Sequence, residues 1–394
     1  MIITPRTLKG FRDFLPEEAR KRQYLISALK KVFERYGFEP LETPSIEYED
    51  ILLGKYGDEG NKLMYRFEDN GQRRVALRYD QTVPLARVIA QYENDLPLPF
   101  KRYQVSNVWR AENTQRGRFR EFLQCDIDTV GVDSALADSE IIKVVITTLE
   151  SLGVKNFKIL LNDRAVFADI PKEGIATIDK LKKIGKEGVL SELKERGIDS
   201  EILTRITESK PTQRIQEVKE LLVDERIVFE PTLARGLDYY TGIIIEVEID
   251  GYEGGSIGGG GRYNNLIGLF NGKNQPAVGF AFGFDRLFSA LTSLNLLKIS
   301  PSVAQVLVTI FSPELKQDSI DAAVKLRMRG VNTDLWLEDD SKMEKQVKYA
   351  LKKQIPYMII IGPEEKEKNM VTVKALDIRE QKTVTLDEAI QMIG

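Results

Sequence analysis

Apolar positions near the start of the chain recur with a helical period. Leu25, Leu29, Val32 and Tyr36 share one face, so the spacing predicts a helix over Pro16 to Tyr36. Pro16 suits its first turn, Glu17 and Glu18 suit the positive end of its dipole, and Gly37 stands where it should stop. An extended run from Phe38 to Pro44 follows. Pro40 and Pro44 lack backbone donors, which confines it to a sheet edge or an interface. Arg74 to Tyr79 reads as a strand that turns through Asp80-Gln81-Thr82-Val83-Pro84 into a helix reaching Tyr92. On local grounds, Asp80 or Thr82 serves as readily to cap that helix as to form a site. Another helix follows Asp133 or Ser134. Ala137, Ile141, Val145, Leu149 and Leu152 share its face and Gly153 ends it.

Between these helices the pattern shortens to alternation. From Val108 to Val130 two strand-like runs flank a polar segment containing Gly117, a strand–loop–strand signal. In the second run Leu123, Cys125, Ile127 and Thr129 point one way, and Gln124, Asp126 and Asp128 the other. Arg110, Arg116, Arg118 and Arg120 crowd the same stretch, and arginine is the residue for bidentate phosphate contact. Two readings remain open here: an ordinary surface strand, or a polar floor holding a small substrate beside a polyphosphate.

After Asn162 the composition changes. Ala168 to Val228 contains no aromatic residue, is rich in Lys and Glu, and is punctuated at Gly185, Gly188, Gly197 and Pro211. This reads as an inserted helical module. Aromatic residues and glycines then return in Leu233 to Gly242, followed by a strand at Ile243 to Ile249 and a hairpin signal at Asp250-Gly251. The glycines from Gly254 to Gly261 form either a flexible loop or a strand on which a ligand lies against backbone. In the strand beginning at Ala277, the small residues Gly279, Ala281 and Gly283 clear one face before a helix starts near Asp285. Beyond a linker at Lys298 to Ser302, strands near Gln305–Ile310, Thr333–Leu337, Tyr357–Ile361 and Val371–Lys374 alternate with helices near Leu315–Met328, Lys342–Lys353 and Leu386–Met392. That is a compact α/β domain with its own core.

Composition narrows the chemistry. The 394 residues allow two or three domains, and no run approaches the ~20 apolar residues of a membrane span. The N-terminal residues lack the apolar core of a signal peptide, so a cytoplasmic protein is expected. The net charge of −3 leaves nucleic-acid binding to a local basic face. Cys125 is the only cysteine and there is no histidine. Intrachain disulfides, Cys-cluster zinc sites, Ser-His-Asp triads and imidazole catalysis are all excluded. What remains is charge placement, carboxylates and oxygen-bound metal.

Three signatures together resemble the histidyl-tRNA synthetases, a class II aminoacyl-tRNA synthetase family. They are the arginine hairpin from Arg110-Ala111-Glu112 to Asp128, the run Arg235-Gly236-Leu237-Asp238-Tyr239-Tyr240, and the glycine strand ending in Arg286. The resemblance covers nearly the whole chain, least clearly the inserted module. It implies an α+β catalytic domain, an antiparallel sheet with flanking helices, over residues 1–163 and 228–298. It implies a helical insertion at 164–227 and a C-terminal α/β anticodon-binding domain at 303–394. It also implies a homodimer formed through the Pro16–Tyr36 helix and the segment around Pro44. The activity implied is joining ATP and L-histidine into histidyl-adenylate, then transfer of histidine to tRNA(His).

By resemblance, Arg110 contacts the α-phosphate and the histidine carboxylate, Glu112 the adenine amino group, and Arg118 the distal phosphates. Arg286 packs on adenine and reaches the γ-phosphate. Arg235 is similar to the family's catalytic arginine and also faces histidine; Mg2+ accompanies ATP. Asp80 and Thr82 resemble the α-amino binders, with Gln81 between them. Gln124 resembles the substrate glutamine. Asp128 and Tyr240 would take the two imidazole nitrogens, and Tyr239 lines the pocket. Gln115 and Arg116 in the hairpin would approach tRNA. So would Lys342, Lys345, Lys348 and Lys352, whose spacing puts them on one helix face that could equally be merely solvated.

The chain departs from many bacterial members, which have Glu where Asp80 or Asp128 stands; its versions look more like the eukaryotic and archaeal type. Ala111 stands where the family often has His, and Asn264 where it often has Asp. Two other roles fit the same resemblance. One is the non-catalytic, histidine-sensing regulatory subunit of ATP phosphoribosyltransferase, which typically lacks the anticodon domain and the ATP arginines. The other is a synthetase-like module of a regulatory kinase, for which no kinase motif is present.

Overall fold

The structure is a computed structural model describing residues 3–55, 57–114, 118–234, 239–339, 341–378 and 380–394. It divides into two compact units, Met1–Phe14 with Ala19–Leu297, and Leu15–Glu18 with Lys298–Gly394.

In chain order the larger unit's strands begin with β1 Glu39–Pro40, β2 Ile46–Tyr48, β3 Arg66–Glu68, β4 Arg74–Leu77, β5 Phe100–Trp109 and β6 Glu121–Val130. They continue with β7 Phe157–Asp163, β8 Ile227–Phe229, β9 Ile243–Ile249, β10 Gly258–Arg262 and β11 Ala277–Gly283. The main sheet runs β1-β5-β6-β11-β10-β9-β7-β8, and β2-β4-β3 form a small second sheet. From β5 to β7 every neighbouring pair is antiparallel, as the resemblance implied. The two outermost pairings, β1 on β5 and β8 on β7, are parallel. Pro40 thus lies on the sheet's edge strand, where its missing donor costs least.

One sheet face is packed by helices. The Pro16–Arg35 helix buries Leu25, Leu29, Val32 and Phe33, and Gly37 follows its end at φ 76°. The helix Ala135–Ser151 starts at Ser134, whose hydroxyl accepts the Ala137 N–H, and buries Ile141, Val145 and Leu149 in the same core. Cys125, Ile127, Phe280 and Phe282 reach that core from the sheet. Each such apolar side chain contributes about 1.5–3 kcal/mol on burial. The opposite face of β6 is left to its polar residues.

Between β7 and β8 come helices Lys172–Ile178, Leu181–Glu195, Glu201–Thr207 and Gln213–Leu222. Gly185 interrupts the second at φ 73°. Ile178, Val189, Leu193, Ile202 and Ile206 share a separate apolar cluster, whereas Ile215 and Val218 of the last helix join the main core.

The smaller unit has β12 Val306–Val308, β13 Thr333–Leu335, β14 Tyr357–Ile360, β15 Val371–Ala375 and β16 Glu380–Val384, ordered β13-β12-β14-β15-β16. Its first three strands pair in parallel and the last two antiparallel. Helices Lys316–Met328 and Met343–Lys353 intervene and Leu386–Ile393 follows β16, giving the α/β alternation read from the sequence. Strand β16 is an addition to that reading; its residues are mostly exposed and polar.

Candidate active site

Register builds the site. On β5 and β6, Arg102 pairs with Asp128, Gln104 with Asp126 and Ser106 with Gln124. On the other side of β6, Gly279 pairs with Asp128, Ala281 with Asp126 and Gly283 with Gln124. Side chains of paired residues share a sheet face, so the carboxylates of β6 stand beside the small residues of β11. A Cβ on Gly279 would overlap Asp128 Oδ1, and one on Gly258 would come 2.7 Å from the Ala281 carbonyl oxygen. The floor is therefore main chain. Above it lies a cavity of about 380 Å3, lined by Asp80, Thr82, Gln124, Asp126, Asp128, Tyr239 and Tyr240. Arg110, Glu112, Arg118, Phe122 and Arg286 also line it.

The first group is a buried network. Asp128 Oδ2 lies 2.7 Å from the Arg102 guanidinium, and Tyr263 donates its hydroxyl to Oδ1. Burial pushes the Asp128 carboxyl up, against the pull of Arg102 and Tyr263. Burial, with Asp128 and Asp80 nearby, holds Asp126 well above the ordinary carboxylate range despite Arg102 and Arg110. Asp80 does two jobs: its Oδ1 accepts the Val83 N–H at the start of the Thr82–Gln91 helix, and its Oδ2 accepts the Tyr239 hydroxyl at 3.1 Å. The capping and site readings of Asp80 are therefore compatible. The Tyr239 ring meets Tyr240 and Tyr263 edge-on at 5.1 and 5.8 Å. Burial of the Tyr240 phenol, then the neighbouring carboxylates, raises its pKa.

The second group is cationic. Arg110 Nε donates to the Tyr79 carbonyl at 3.2 Å, and its guanidinium lies 4.4 and 5.2 Å from the Tyr79 and Phe122 ring centres. Arg78 braces the same turn by donating to the Asn107 and Thr43 carbonyls. Arg286 donates to the Ser256 carbonyl at 2.9 Å, and Arg118 lies 3.9 Å from Glu112. Asp285, beside Arg286, is held by Arg12 and Arg22; Arg12 in turn stacks on Phe119, which also lines the cavity.

Gln81 stands apart from the cavity lining. It is fully buried, and its amide donates to the Ser106 and Gln124 carbonyls, tying the turn to β5 and β6. Arg235, Gln115 and Arg116 lie outside the described residues. Lys342, Lys345, Lys348 and Lys352 are exposed on and just before the Met343–Lys353 helix of the smaller unit. Lys345 pairs with Glu338 and Lys348 with Glu344, so this is not a bare cationic stripe.

Arg102, Glu246 and Tyr263 were missed in the sequence reading, and Asp126 was placed on the polar face of its strand without a role of its own. Glu246 lines the cavity from β9, opposite Gly259. A usable signal existed: Arg102, Gln104 and Ser106 alternate on β5 as Gln124, Asp126 and Asp128 do on β6.

A glycine-floored polar cavity on an antiparallel sheet, with a separate α/β unit in the same chain, is the build of a class II aminoacyl-tRNA synthetase. The family model for histidyl-tRNA synthetase matches residues 10–183 and 168–287, and the anticodon binding domain model matches 305–394. The chain belongs to the histidyl-tRNA synthetase family. It is 38% identical to the histidine–tRNA ligase of Cytophaga hutchinsonii, covering 99% of each chain. To the histidine–tRNA ligase of Aeropyrum pernix it is also 38% identical, over 99% of this chain and 98% of that one. The crystal structure of histidyl-tRNA synthetase from Nostoc sp. PCC 7120 superposes with a TM-score of 0.83 at 32% identity, covering 99% of this chain and all of that one.

Proposed function

We propose that this chain activates L-histidine with ATP to histidyl-adenylate and transfers histidine to tRNA(His). The observation that carries the reading is one cavity lined both by buried carboxylates and tyrosines and by Arg110, Arg118 and Arg286. Activation brings a carboxylate against the α-phosphate, two anions that repel, so the catalyst must cancel charge and align the attack. Arg110, fixed by the Tyr79 carbonyl, faces both anions in this proposal, and Arg235 supplies a second cation. Glu112 accepts from the adenine amino group; Arg118 and Arg286 hold the distal phosphates. Asp80 and Thr82 take the α-amino group, beside Gln124. Asp128 and Tyr240 take the ring nitrogens, and Tyr239 closes the wall. A pocket whose polar groups go unpaired without an imidazole rejects other amino acids.

Magnesium would arrive with ATP. Among the described residues no group of three or more carboxylate or Cys ligands gathers to hold a metal, so phosphate oxygens and water would supply most of its shell. The chain functions as a cytoplasmic homodimer in this reading, with catalytic residues 1–163 and 228–298, an insertion at 164–227 and an anticodon-binding domain at 303–394. No described helix is long and apolar enough to cross a membrane. A histidine-sensing regulatory role is disfavoured by the anticodon-domain match and by the ATP-facing arginines.

The test is pyrophosphate exchange with each of the twenty amino acids, followed by charging of tRNA(His). Exchange with histidine alone is the expected result. Absence of exchange, with histidine still bound, would favour the regulatory reading. A stable, active monomer in sedimentation at micromolar concentration would remove the dimer.

A further inference from the structure

Arg102 is the largest fully enclosed side chain among those described, yet it is not part of the cavity lining. A guanidinium stays charged at any physiological pH, and burying one is costly unless it is paired. Its Nη2 reaches Asp128 Oδ2 at 2.7 Å and the Gln81 carbonyl at 3.3 Å. Tyr263 occupies the other Asp128 oxygen, and the absent Cβ of Gly279 leaves room for the carboxylate on the remaining side. Asp128 is thus ion-paired at Oδ2 and hydrogen-bonded at Oδ1 by residues that themselves sit on regular strands or at a strand end.

We propose that Arg102 is a positioning residue for histidine selection: from behind the cavity it keeps Asp128 charged and aimed, so that this aspartate accepts a ring N–H of the substrate. This rests on the proposed role of Asp128 as a partner of the imidazole. Among the described residues, the groups facing Asp128 are Arg102 from β5, Asp126 from its own strand, Asp80 from the turn after β4, Tyr263 after β10, and Tyr240 before β9. Strand β11 offers only Gly279. Two of these neighbours are carboxylates and two are phenols, so Arg102 is the cation that offsets the burial of Asp128. Without it, burial and the nearby Asp80 favour the protonated aspartate, which has one fewer acceptor oxygen for a ring N–H.

The experiment compares KM for histidine and for ATP in pyrophosphate exchange across about pH 6 to about pH 9, for wild type, Arg102→Gln and Arg102→Lys. Taking the variant-to-wild-type ratio at each pH cancels titration of the substrate's own imidazole. Arg102→Gln should raise KM for histidine more than ~10-fold at the acid end, with the deficit shrinking as pH rises and deprotonates Asp128. KM for ATP should stay within ~3-fold, since the ATP arginines do not depend on Arg102. Arg102→Lys, which keeps the charge, should show a smaller deficit with a shallower pH dependence of the same direction, and it carries the test if the glutamine variant does not fold by thermal melting. A deficit equal at every pH, or one shared equally by ATP, would mean a merely structural role and overturn the proposal. Asp128→Asn separates the two claims. If that variant keeps wild-type histidine dependence, the reading of the pocket fails. If it is impaired while the Arg102 variants show no pH slope, only the role of Arg102 fails.

Discussion

Gly279 stands directly across from Asp128 in the β6–β11 pair, and a Cβ at position 279 would overlap the Asp128 carboxylate. The aspartate therefore lies over bare main chain, with Arg102 and Tyr263 at its two oxygens. Gly279→Ala should push it aside. Displacement of a substrate-facing group by about an ångström should lower kcat/KM for histidine by roughly 100-fold. The added methyl group should cost about 1–3 kcal/mol of stability. Steady-state kinetics and melting check both, and an unchanged histidine KM would show that the close approach has no bearing on binding.

Arg235→Ala tests the proposed fixed cation. Loss of one preorganised contact to developing charge should slow adenylate formation more than ~100-fold. Histidine binding, measured directly by calorimetry, should fall less. Near wild-type exchange by this variant would refute the role.

Acid stability should depend on Asp224. Hydrogen bonds from Arg226 hold its carboxyl below its ordinary 3.8, and Arg226 also reaches Glu150 on the Ala135–Ser151 helix. A carboxylate with a lowered folded pKa stabilises fully above its unfolded value and loses that contribution as pH falls through the folded one. Asp224→Asn should thus cost about 1 kcal/mol at neutral pH, for a partly buried charged contact. The gap from wild type should close as pH drops below 3.8. Melting curves against pH give the answer; a gap independent of pH would assign the effect to packing.

The lysines of the smaller unit make a salt-dependent prediction. Substituting Gln at Lys342, Lys348 and Lys352 should weaken tRNA binding and reduce the slope of log affinity against log salt by about 2. Pyrophosphate exchange should be unaffected. Should neither affinity nor slope move, the stripe is only a solvated face, already partly neutralised by Glu338 and Glu344.

Periodicity recovered what is local. The helices at Pro16 and Ala135, the two-faced β6 and the glycine-cleared β11 follow from spacing alone, because one side of each must be buried. Strand β5 was only half seen. Its Arg102, Gln104 and Ser106 resemble solvent-facing residues until β6 is laid beside them. The parallel edge pairing of β1 joins Glu39 to Arg102, a separation that no local pattern encodes. For the site, Asp80, Thr82, Gln124 and Asp128 were legible through the family motif and alternation, and they share the cavity wall. Arg102 and Tyr263 needed register. A guanidinium found in sequence says only that a charge exists, whereas the strand opposite says what it balances.

Strands β7 and β8 are parallel hydrogen-bonded neighbours at the edge of the main sheet, so the chain that leaves β7 at Asp163 crosses back along the sheet and re-enters beside Ile159. To the sheet, everything between Asp163 and Ile227 is a closed loop whatever its fold. Closing such a loop becomes costlier only logarithmically, by about 0.6 kcal/mol per doubling of length. The Gln213–Leu222 helix is the part the core cannot release, since Ile215 and Val218 are packed into it and Arg214 reaches Asp138. Upstream of that helix the insertion packs mainly in its own apolar cluster, to which neither β6 nor β11 contributes. The chain thus keeps its freedom to vary in length at the far end of the sheet from the residues that cannot move.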